Sequence, residues 1–402
     1  MGAVTPLVRV RDAGLVADGG PARLVVARLE DPAAVAARLR SVAAHVHLEH
    51  GRVEVVADPQ AVAEVVAAEQ GADAAAVRAR VAAAVGAWQQ PPPDVDTAAG
   101  TLPTASRPVV MGVLNVTPDS FSDGGHHLDG RGAPDAAIEA GRQLLAAGAD
   151  VVDVGGESTR PGAQPVDAVE ERRRVLPVVA ALAGSGAVVS IDTVKADVAR
   201  AAVEAGAAIV NDVSAGSLDP GLLPTVAELD VPYVVTHLQG TPRTMQRSPT
   251  YDDVVAEVFE ALADGLERLT GLGLDPARVM LDPGIGFGKT STHNLQLLAA
   301  TRELTSLGRP VVIGASRKSF LGRLTGAEDP LDRLEASLAT ASLAVADGAR
   351  IVRVHDVAET VRAVTVAHAV AGGRSGGGSG DRSGDGHGPD SADAPSPVPP
   401  SH

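Results

Sequence analysis

Side chains able to do chemistry recur at one kind of position in this 402-residue chain, at the ends of short runs of valine and isoleucine. Asp192, Asn211 and Asp282 each stand at the end of such a run. Carboxylates and an amide suit a flat heterocycle that carries several N–H donors and a carbonyl, because unpaired buried polar atoms are costly. These residues therefore predict a site for a nitrogen-rich ring.

A second set of residues at comparable positions is cationic. Arg160 follows one of the runs, and Arg353 and His355 lie within another. Such side chains bind phosphate or carboxylate groups through charge-assisted hydrogen bonds. Lys318 follows a third run and can place an ammonium group between the two zones. The sequence thus predicts an anionic group beside the ring.

Two residue types are scarce in this chain. Its lysines and asparagines are Lys195, Lys289, Lys318, Asn115, Asn211 and Asn294. Arginine takes nearly every other cationic position, so a persisting lysine or asparagine is a candidate for a position that requires a compact ammonium or an amide. Chance survival is the alternative at any single position.

The apolar runs occur eight times, each followed by a segment of helical periodicity. The runs cover 109–116, 150–155, 187–193, 208–213, 232–238, 279–283, 310–316 and 351–356. Their length and valine content are typical of strands buried on both faces, and helices are predicted over 134–148, 252–271 and 331–348. Eight such units over about 260 residues predict a (β/α)8 TIM barrel. A doubly wound open sheet, which usually has five or six strands, is the alternative.

In such a barrel the active site forms where the strands meet the loops that follow them. The opposite rim of the predicted barrel reads as ordinary turns, so the polar residues concentrate at the functional end. Asp153 and Asp212 are interpreted there as partners that orient their neighbours. For His237 a role at the site edge and a structural hydrogen bond both stay open.

The flanking regions differ in composition from the barrel. Residues 1–90 predict a small α/β or helical appendage of unknown role, and the proline-rich stretch 91–107 predicts a linker. The barrel is expected over 108–371. Residues 372–402 are rich in glycine, serine, proline and aspartate and predict a disordered tail.

Composition restricts the partners of the chain. A formal net charge of −16 argues against binding to nucleic acid. The sequence contains no uninterrupted run of eighteen apolar residues, so no membrane span is predicted. The absence of cysteine excludes disulfides and thiolate metal sites and agrees with a cytoplasmic location. The histidines of HVHLEH, residues 45–50, are interpreted as strand residues rather than metal ligands.

Eight ordered motifs between about residues 110 and 356 resemble the signature series of the dihydropteroate synthase family. They are MGVLNVTPDSFSDGG, GGESTRPGA, SIDT, NDVSAG, HLQGTPRTMQ, LDPGIGFGK, GASRKSFLG and IVRVHDV. Thr236 and Leu238 depart from the family pattern, since methionines are frequent at both places. The resemblance implies a pterin-binding barrel that condenses a dihydropterin methyl diphosphate with p-aminobenzoate in folate synthesis. It also implies that the protein is a target of sulfonamides.

Site roles follow from this resemblance, position by position. It implies that the pterin is held by Asp192, Asn211, Asp282 and Lys318. It also implies that the catalytic residues are Asp123, Asp192, Asp282 and Lys318. It further implies that the diphosphate is bound by Thr159, Arg160, Arg353 and His355. The p-aminobenzoate would be bound by Phe121, Pro161, Phe287 and Ser319. Asn115 would contact Mg²⁺.

The resemblance also implies a homodimer. Two rival functions stay open at this point: a non-catalytic pterin-binding paralogue, and a pterin-barrel methyltransferase that uses methyltetrahydrofolate. The methyltransferase would have less need for Asn115, Arg353 and His355 around a diphosphate.

Overall fold

The structure is a computed structural model that describes residues 6–12, 22–70, 74–117, 133–158 and 165–375. Its strands are β1 (Leu7–Asp12), β2 (Ala22–Ala27), β3 (His45–Glu49), β4 (Arg52–Ala57), β5 (Val95–Thr97), β6 (Gly100–Leu102), β7 (Val109–Asn115), β8 (Val151–Gly155), β9 (Val188–Asp192), β10 (Ile209–Asp212), β11 (Tyr233–Thr236), β12 (Val279–Asp282), β13 (Val312–Ile313) and β14 (Ile351–Val354). Its helices are α1 (Pro32–Leu39), α2 (Pro59–Gln70), α3 (Ala74–Gln89), α4 (Ala133–Ala146), α5 (Ala168–Ala183), α6 (Ala196–Glu204), α7 (Leu222–Leu229), α8 (Val254–Gly271), α9 (Ser291–Ala299), α10 (Thr301–Leu304), α11 (Ser319–Thr325), α12 (Leu334–Ala346) and α13 (Val357–Ser375).

Strands β7 to β14 form one parallel sheet in the order β12-β11-β10-β9-β8-β7-β14-β13. A parallel bridge between Leu281 of β12 and Val311, immediately before β13, joins the two ends of this sheet. The sheet is therefore closed, and helices follow its strands around the outside. This confirms the predicted (β/α)8 barrel and excludes the open doubly wound sheet.

The helix predictions from apolar periodicity agree with the structure to within a few residues. The predicted segments 134–148, 252–271 and 331–348 correspond to α4, α8 and α12. Helix α8 is preceded by Asp253, whose carboxylate accepts hydrogen bonds from two backbone N–H groups of the first turn. Such a cap satisfies donors that have no partner within the helix, which explains why the helix starts slightly later than the periodicity suggests.

The interior of the barrel is apolar at the end where the strands begin. Met111, Val151, Ile209, Met280 and Ile351 belong to one buried cluster there. The antiparallel hairpin of β5 and β6 contributes two side chains to the same cluster, at positions 95 and 102. The stretch 91–107, predicted as a linker, therefore also fills the bottom of the barrel.

We expect a chain that begins at Arg107 to be less stable than one that begins at Pro91. The shorter chain lacks Val95 and Leu102, which are 0% and 2% exposed. Burying such side chains contributes about 1.5–3 kcal/mol each, so the difference should be about 4 kcal/mol. Urea unfolding of the two truncated chains measures it, and equal free energies of unfolding would show that the hairpin does not support the barrel.

The N-terminal residues form a four-stranded antiparallel sheet in the order β1-β2-β4-β3, packed with α1, α2 and α3. This appendage lies against α8 and the α10 region of the barrel. Arg9 pairs with Glu303 at 3.4 Å, and Arg52 pairs with Glu260 at 2.6 Å. Leu7 joins the apolar cluster of the barrel and its helices. The appendage is thus attached to the barrel by one mostly buried and one partly buried ion pair and by apolar contact.

Among the described residues, no helix is long and apolar enough to cross a membrane. His45 and His47 are exposed on β3. The described part of the chain contains no group of three or more histidines and carboxylates arranged to hold a metal ion.

Candidate active site

The predicted site residues that the structure describes lie at one end of the barrel. Each comes from the carboxyl end of a strand, from the loop that follows it or from the first residue of the next helix: Asn115, Asp192, Asn211, Asp282, Phe287, Lys318, Ser319, Arg353 and His355. In parallel strands these ends meet at one rim. Phe121, Asp123, Thr159, Arg160 and Pro161 lie outside the described residues.

Strand alternation places the polar side chains directly above the apolar layer. Ile209 belongs to that layer, and Asn211 follows it by two residues on β10; Met280 and Asp282 have the same relation on β12. Because side chains two residues apart share a face of a strand, the polar groups point inward. The local sequence therefore gives the barrel a polar mouth above an apolar core.

A buried hydrogen-bonded network crosses this mouth. Asn211 Nδ2 donates to Asp153 Oδ2 at 3.0 Å, and Arg353 Nε donates to the same oxygen at 2.6 Å. Arg353 also donates through Nη2 to Asp192 Oδ2 at 2.6 Å. Four side chains from four strands are thus connected, and one guanidinium is shared by two carboxylates.

Asp282 and Lys318 form the other side of the mouth. Asp282 Oδ1 accepts a hydrogen bond of 2.7 Å from the backbone N–H of Gly284. A Cβ atom added to Gly314 would lie 3.8 Å from Asp282 Oδ2 and 3.7 Å from Arg353 Cβ. The carboxylate and the arginine therefore flank the same small residue, and any side chain at position 314 would enter the space between them.

The loop after β12 lies beside Lys318. Lys318 Nζ donates to the carbonyl oxygen of Ile285 and stands 4.3 Å from the ring centroid of Phe287. Gly284 has a φ of +70°, and a Cβ atom there would lie 1.9 Å from the carbonyl oxygen of His237. Only glycine fits this turn, which brings the loop against the lysine and places an aromatic ring at the rim.

Burial changes the proton affinities of the groups in the mouth. Burial raises the pKa of Asp192 to about 7, although Arg353 opposes the change, and it also raises the pKa of Asp282 against the opposing charge of Lys318. Burial lowers the pKa of Lys318 to about 8, while Asp282 opposes it. One guanidinium cannot fully compensate two buried carboxylates. The mouth therefore favours a ligand that brings hydrogen-bond donors or positive charge.

His355 is held by the neighbouring strand end. Its Nδ1 lies 3.1 Å from Ser316 Oγ, and its backbone N–H donates to the same hydroxyl at 3.2 Å. Arg317, which has a φ of +59°, forms an ion pair with Asp356. These contacts join the loop after β13 to the end of β14 and so fix the cationic side of the rim.

The structure gives His237 a structural hydrogen bond, one of the two roles predicted for it. Its Nδ1 lies 2.9 Å from Nζ of Lys289, which also donates to the carbonyl oxygens of His237 and Phe287 at 3.3 and 3.0 Å. Burial, and secondly the charge of Lys289, lowers the pKa of His237 to about 3. The buried lysine ties the loop after β12 to the end of β11, so the histidine has a structural partner.

Two lysines take part in structural clusters, and the scarcity of lysine in this chain is the only sequence signal that singles them out. Besides Lys289, Lys195 lies between the carboxylates of Glu157 and Glu171. Asn294, also a rare type, accepts a hydrogen bond of 2.7 Å from the backbone N–H of Gly286. Scarcity of lysine and asparagine was thus the signal for these positions, whereas nothing in the sequence indicated their partners.

We expect Lys195→Met to destabilise the barrel by about 3 kcal/mol, because it leaves the carboxylate of Glu171 buried and unpaired. The Glu171 side chain is 1% exposed. Arg200→Met is the matched control, since its partner Glu228 is 65% exposed and such surface pairs contribute about 0–1 kcal/mol. Chemical denaturation measures both losses; equal losses would contradict the assignment of Lys195 to a buried cluster.

Comparison with known proteins relates this geometry to a family. The family profile described as "Pterin binding enzyme" matches residues 111–355. Dihydropteroate synthase of Mycobacterium leprae is 51% identical over 264 residues, which cover 64% of this chain and 91% of that protein. Dihydropteroate synthase of Escherichia coli is 46% identical over 276 residues, covering 68% and 95%.

Solved structures give the same relation. Dihydropteroate synthase of Xanthomonas albilineans with 4-aminobenzoic acid superposes with a TM-score of 0.64 at 48% identity, covering 69% of this chain and 98% of that chain. The enzyme of the same organism in complex with 7,8-dihydropteroate has a TM-score of 0.62 at 46% identity, with the same coverage.

Proposed function

This chain belongs to the pterin-binding enzyme family, and from that premise we infer that it catalyses the dihydropteroate synthase reaction. The enzyme is a transferase that joins a dihydropterin methyl diphosphate to p-aminobenzoate and releases diphosphate. The observation that carries this function is the convergence of Asp192, Asn211, Asp282, Lys318 and Arg353 in one barrel mouth.

We assign the pterin ring to the acidic and amide side of the mouth. Asp192 and Asp282 are each 7% exposed and Asn211 is 4% exposed, so a ring that reaches them is withdrawn from water. Carboxylates accept hydrogen bonds from ring N–H groups, and the ammonium of Lys318 can donate to a ring carbonyl. Buried donors and acceptors that must be satisfied select against rings that lack the complementary pattern.

The diphosphate is assigned to the cationic rim. Arg353 and His355 would bind it directly, together with Thr159 and Arg160, which follow β8 in the sequence. These cations also stabilise the charge that the leaving group gains. The assignment is supported by the hydrogen bond from Arg353 to Asp192, which places this cation beside the proposed ring site.

We propose Mg²⁺ as the metal that accompanies the diphosphate. Asn115, half-buried at the end of β7, offers an amide oxygen, which is a ligand that this cation accepts. Mg²⁺ is commonly held by one or two protein oxygens together with phosphate oxygens and water, so a cluster of carboxylates is not needed. When bound, the cation would neutralise charge on the diphosphate.

The p-aminobenzoate is assigned to the rim beside Lys318. Phe287 presents a half-buried ring there, and Ser319 is exposed at the first turn of α11. An aromatic ring and a hydroxyl suit the flat, polar-ended substrate. Phe121 and Pro161, which lie outside the described residues, would complete this pocket.

The proposed reaction breaks the bond between the pterin methylene carbon and the diphosphate oxygen, and the electron pair leaves with the diphosphate. Bond breaking runs ahead of attack, so the methylene carbon becomes cationic and is favoured by the carboxylates of Asp192, Asp282 and Asp123. The neutral aniline nitrogen of p-aminobenzoate then forms the new bond and loses its proton to the released diphosphate. Exclusion of water from the mouth would protect the cation from hydrolysis.

A synthesis assay with purified full-length protein tests this function. It contains the dihydropterin methyl diphosphate and p-aminobenzoate, with and without magnesium, and follows dihydropteroate and diphosphate together. We expect both products in equal amounts and only with magnesium. Ligand binding without turnover would indicate a non-catalytic paralogue, and methyl transfer from methyltetrahydrofolate without diphosphate release would indicate the methyltransferase.

We also propose a homodimer formed through α12 and α13. Leu343, Val366 and Val370 on these adjacent helices are more than half exposed. Leu343→Glu should convert a dimer into a monomer, as measured by light scattering after gel filtration, whereas Leu272→Glu, on another exposed apolar residue, should not. Equal masses for both variants would contradict this interface.

The cytoplasmic location stays a prediction of the sequence.

A further inference from the structure

Asp153 connects two parts of the mouth through a single atom. Its Oδ2 accepts hydrogen bonds from Asn211 Nδ2 at 3.0 Å and from Arg353 Nε at 2.6 Å. Asp153 is 0% exposed, and its Oδ1 has no hydrogen-bond partner among the described residues. Asp153 itself therefore does not reach the open mouth, but both residues that it holds belong to it.

We propose that Asp153 is a positioning residue that couples the pterin site to the diphosphate site. This inference rests on the proposed function, because Asn211 is assigned to the ring and Arg353 to the diphosphate. The carboxylate acts on each ligand only through these two side chains.

The contact to Asn211 orients the amide. An ionised carboxylate can only accept hydrogen bonds, so the amide atom that faces Asp153 Oδ2 must be the nitrogen. The amide oxygen of Asn211 is then turned away from Asp153 and can accept a hydrogen bond from a ring N–H. Without the carboxylate, the amide could turn over and present a donor where the ring also has a donor.

The contact between Asp153 and Arg353 determines which carboxylate each N–H group of the guanidinium donates to. Its Nε is bound to Asp153 while its Nη2 is bound to Asp192. A planar guanidinium fixed at Nε has a defined orientation toward the rim. If Asp153 lost its charge, Arg353 would bind Asp192 alone, and the pterin carboxylate would be less available to the ring.

A purely structural role does not account for this arrangement. A buried carboxylate with one unpaired oxygen is costly, and a barrel interior is stable with apolar residues at such positions. Val151, two residues earlier on the same strand face, is an apolar residue of this kind. The charge at position 153 is explained by the two site residues it holds.

Binding to the full-length protein tests the coupling, with 6-hydroxymethylpterin and magnesium diphosphate as separate probes in calorimetry. We expect Asp153→Asn to weaken both by about tenfold or more. In steady-state assays it should raise the KM for the pterin diphosphate by a similar factor and leave the KM for p-aminobenzoate unchanged. Tyr233→Phe is the matched control, because it removes a buried hydroxyl that donates to Asp212 outside this network; it should lower the melting temperature without changing either affinity.

The possible outcomes distinguish failure of the coupling from failure of the proposed function. Wild-type protein that binds neither probe would overturn the proposed function rather than the coupling. Weakening of one probe alone, or of neither, would overturn the coupling while the function stands. If Asp153→Asn does not fold, Asp153→Glu keeps the charge and displaces it by one methylene; we expect both affinities to fall severalfold, and two unchanged affinities would refute the role of Asp153.

Discussion

Asp282→Asn should reduce product formation by about a thousandfold while the barrel stays folded. The carboxylate is buried beside Lys318 and accepts a hydrogen bond from Gly284. Asparagine preserves the shape but removes the negative charge that a cationic methylene carbon requires, and loss of one such preorganised group typically costs about 10²–10³ in rate. Release of diphosphate by the purified variant measures the effect.

Lys318→Ala should have a comparable effect through the opposite charge. It removes the ammonium that interacts with the charge of Asp282 and lies 4.3 Å from the ring centroid of Phe287. Asp275→Asn is the control, because Asp275 is exposed at the far end of β12 and caps a short helical turn there; its turnover should stay within about twofold of wild type. Full turnover in both purified site variants would refute these assignments.

Arg353→Gln should lower kcat/KM for the pterin diphosphate by about a thousandfold as well, since the leaving group loses its buried cation. Asp153 and Asp192 also lose their shared partner. Breaking such buried pairs typically costs about 3–5 kcal/mol, so the melting temperature should fall together with the rate. Steady-state kinetics and thermal unfolding measure the two effects.

Arg107→Gln is the control that separates the kinetic effect of Arg353→Gln from its effect on stability. It breaks an arginine–aspartate pair with Asp150 at the opposite end of the barrel, where N and O lie 2.6 Å apart. It should leave kcat/KM within about twofold of wild type, because no ligand group is assigned to that end. A loss of activity equal to that of Arg353→Gln would mean that general destabilisation, not loss of the cation, explains the kinetic effect.

Much of the barrel could be predicted because its signals are local. Valine-rich runs and helical periodicity depend on residues a few positions apart, and they located the eight strands of the barrel. The position of Asp192, Asn211 and Asp282 at the ends of such runs then places them at one rim, since parallel strands align their carboxyl ends. Family motifs supplied the identity of the ring and of the leaving group.

Other features could not be read in this way. The stretch 91–107 was predicted only as a linker, because Val95 and Leu102 are isolated apolar residues in a polar, proline-rich segment. Their burial becomes apparent only when the bottom of the closed barrel is present to receive them. The attachment of the appendage through Arg9 and Glu303, nearly three hundred residues apart, is equally invisible in local patterns.

The sequence by itself determined which elements form, which end of the barrel is polar and which chemistry that end can perform, because periodicity, strand ends and side-chain type are properties of short segments. Only the tertiary structure decided which polar groups form hydrogen bonds and ion pairs with one another. Asp153 and Arg353 are 200 positions apart and meet through Oδ2 and Nε because β8 and β14 both flank β7 in the closed sheet. Hydrogen bonds depend on direction and on distances of a few tenths of an ångström, and these are set by barrel closure rather than by spacing along the chain.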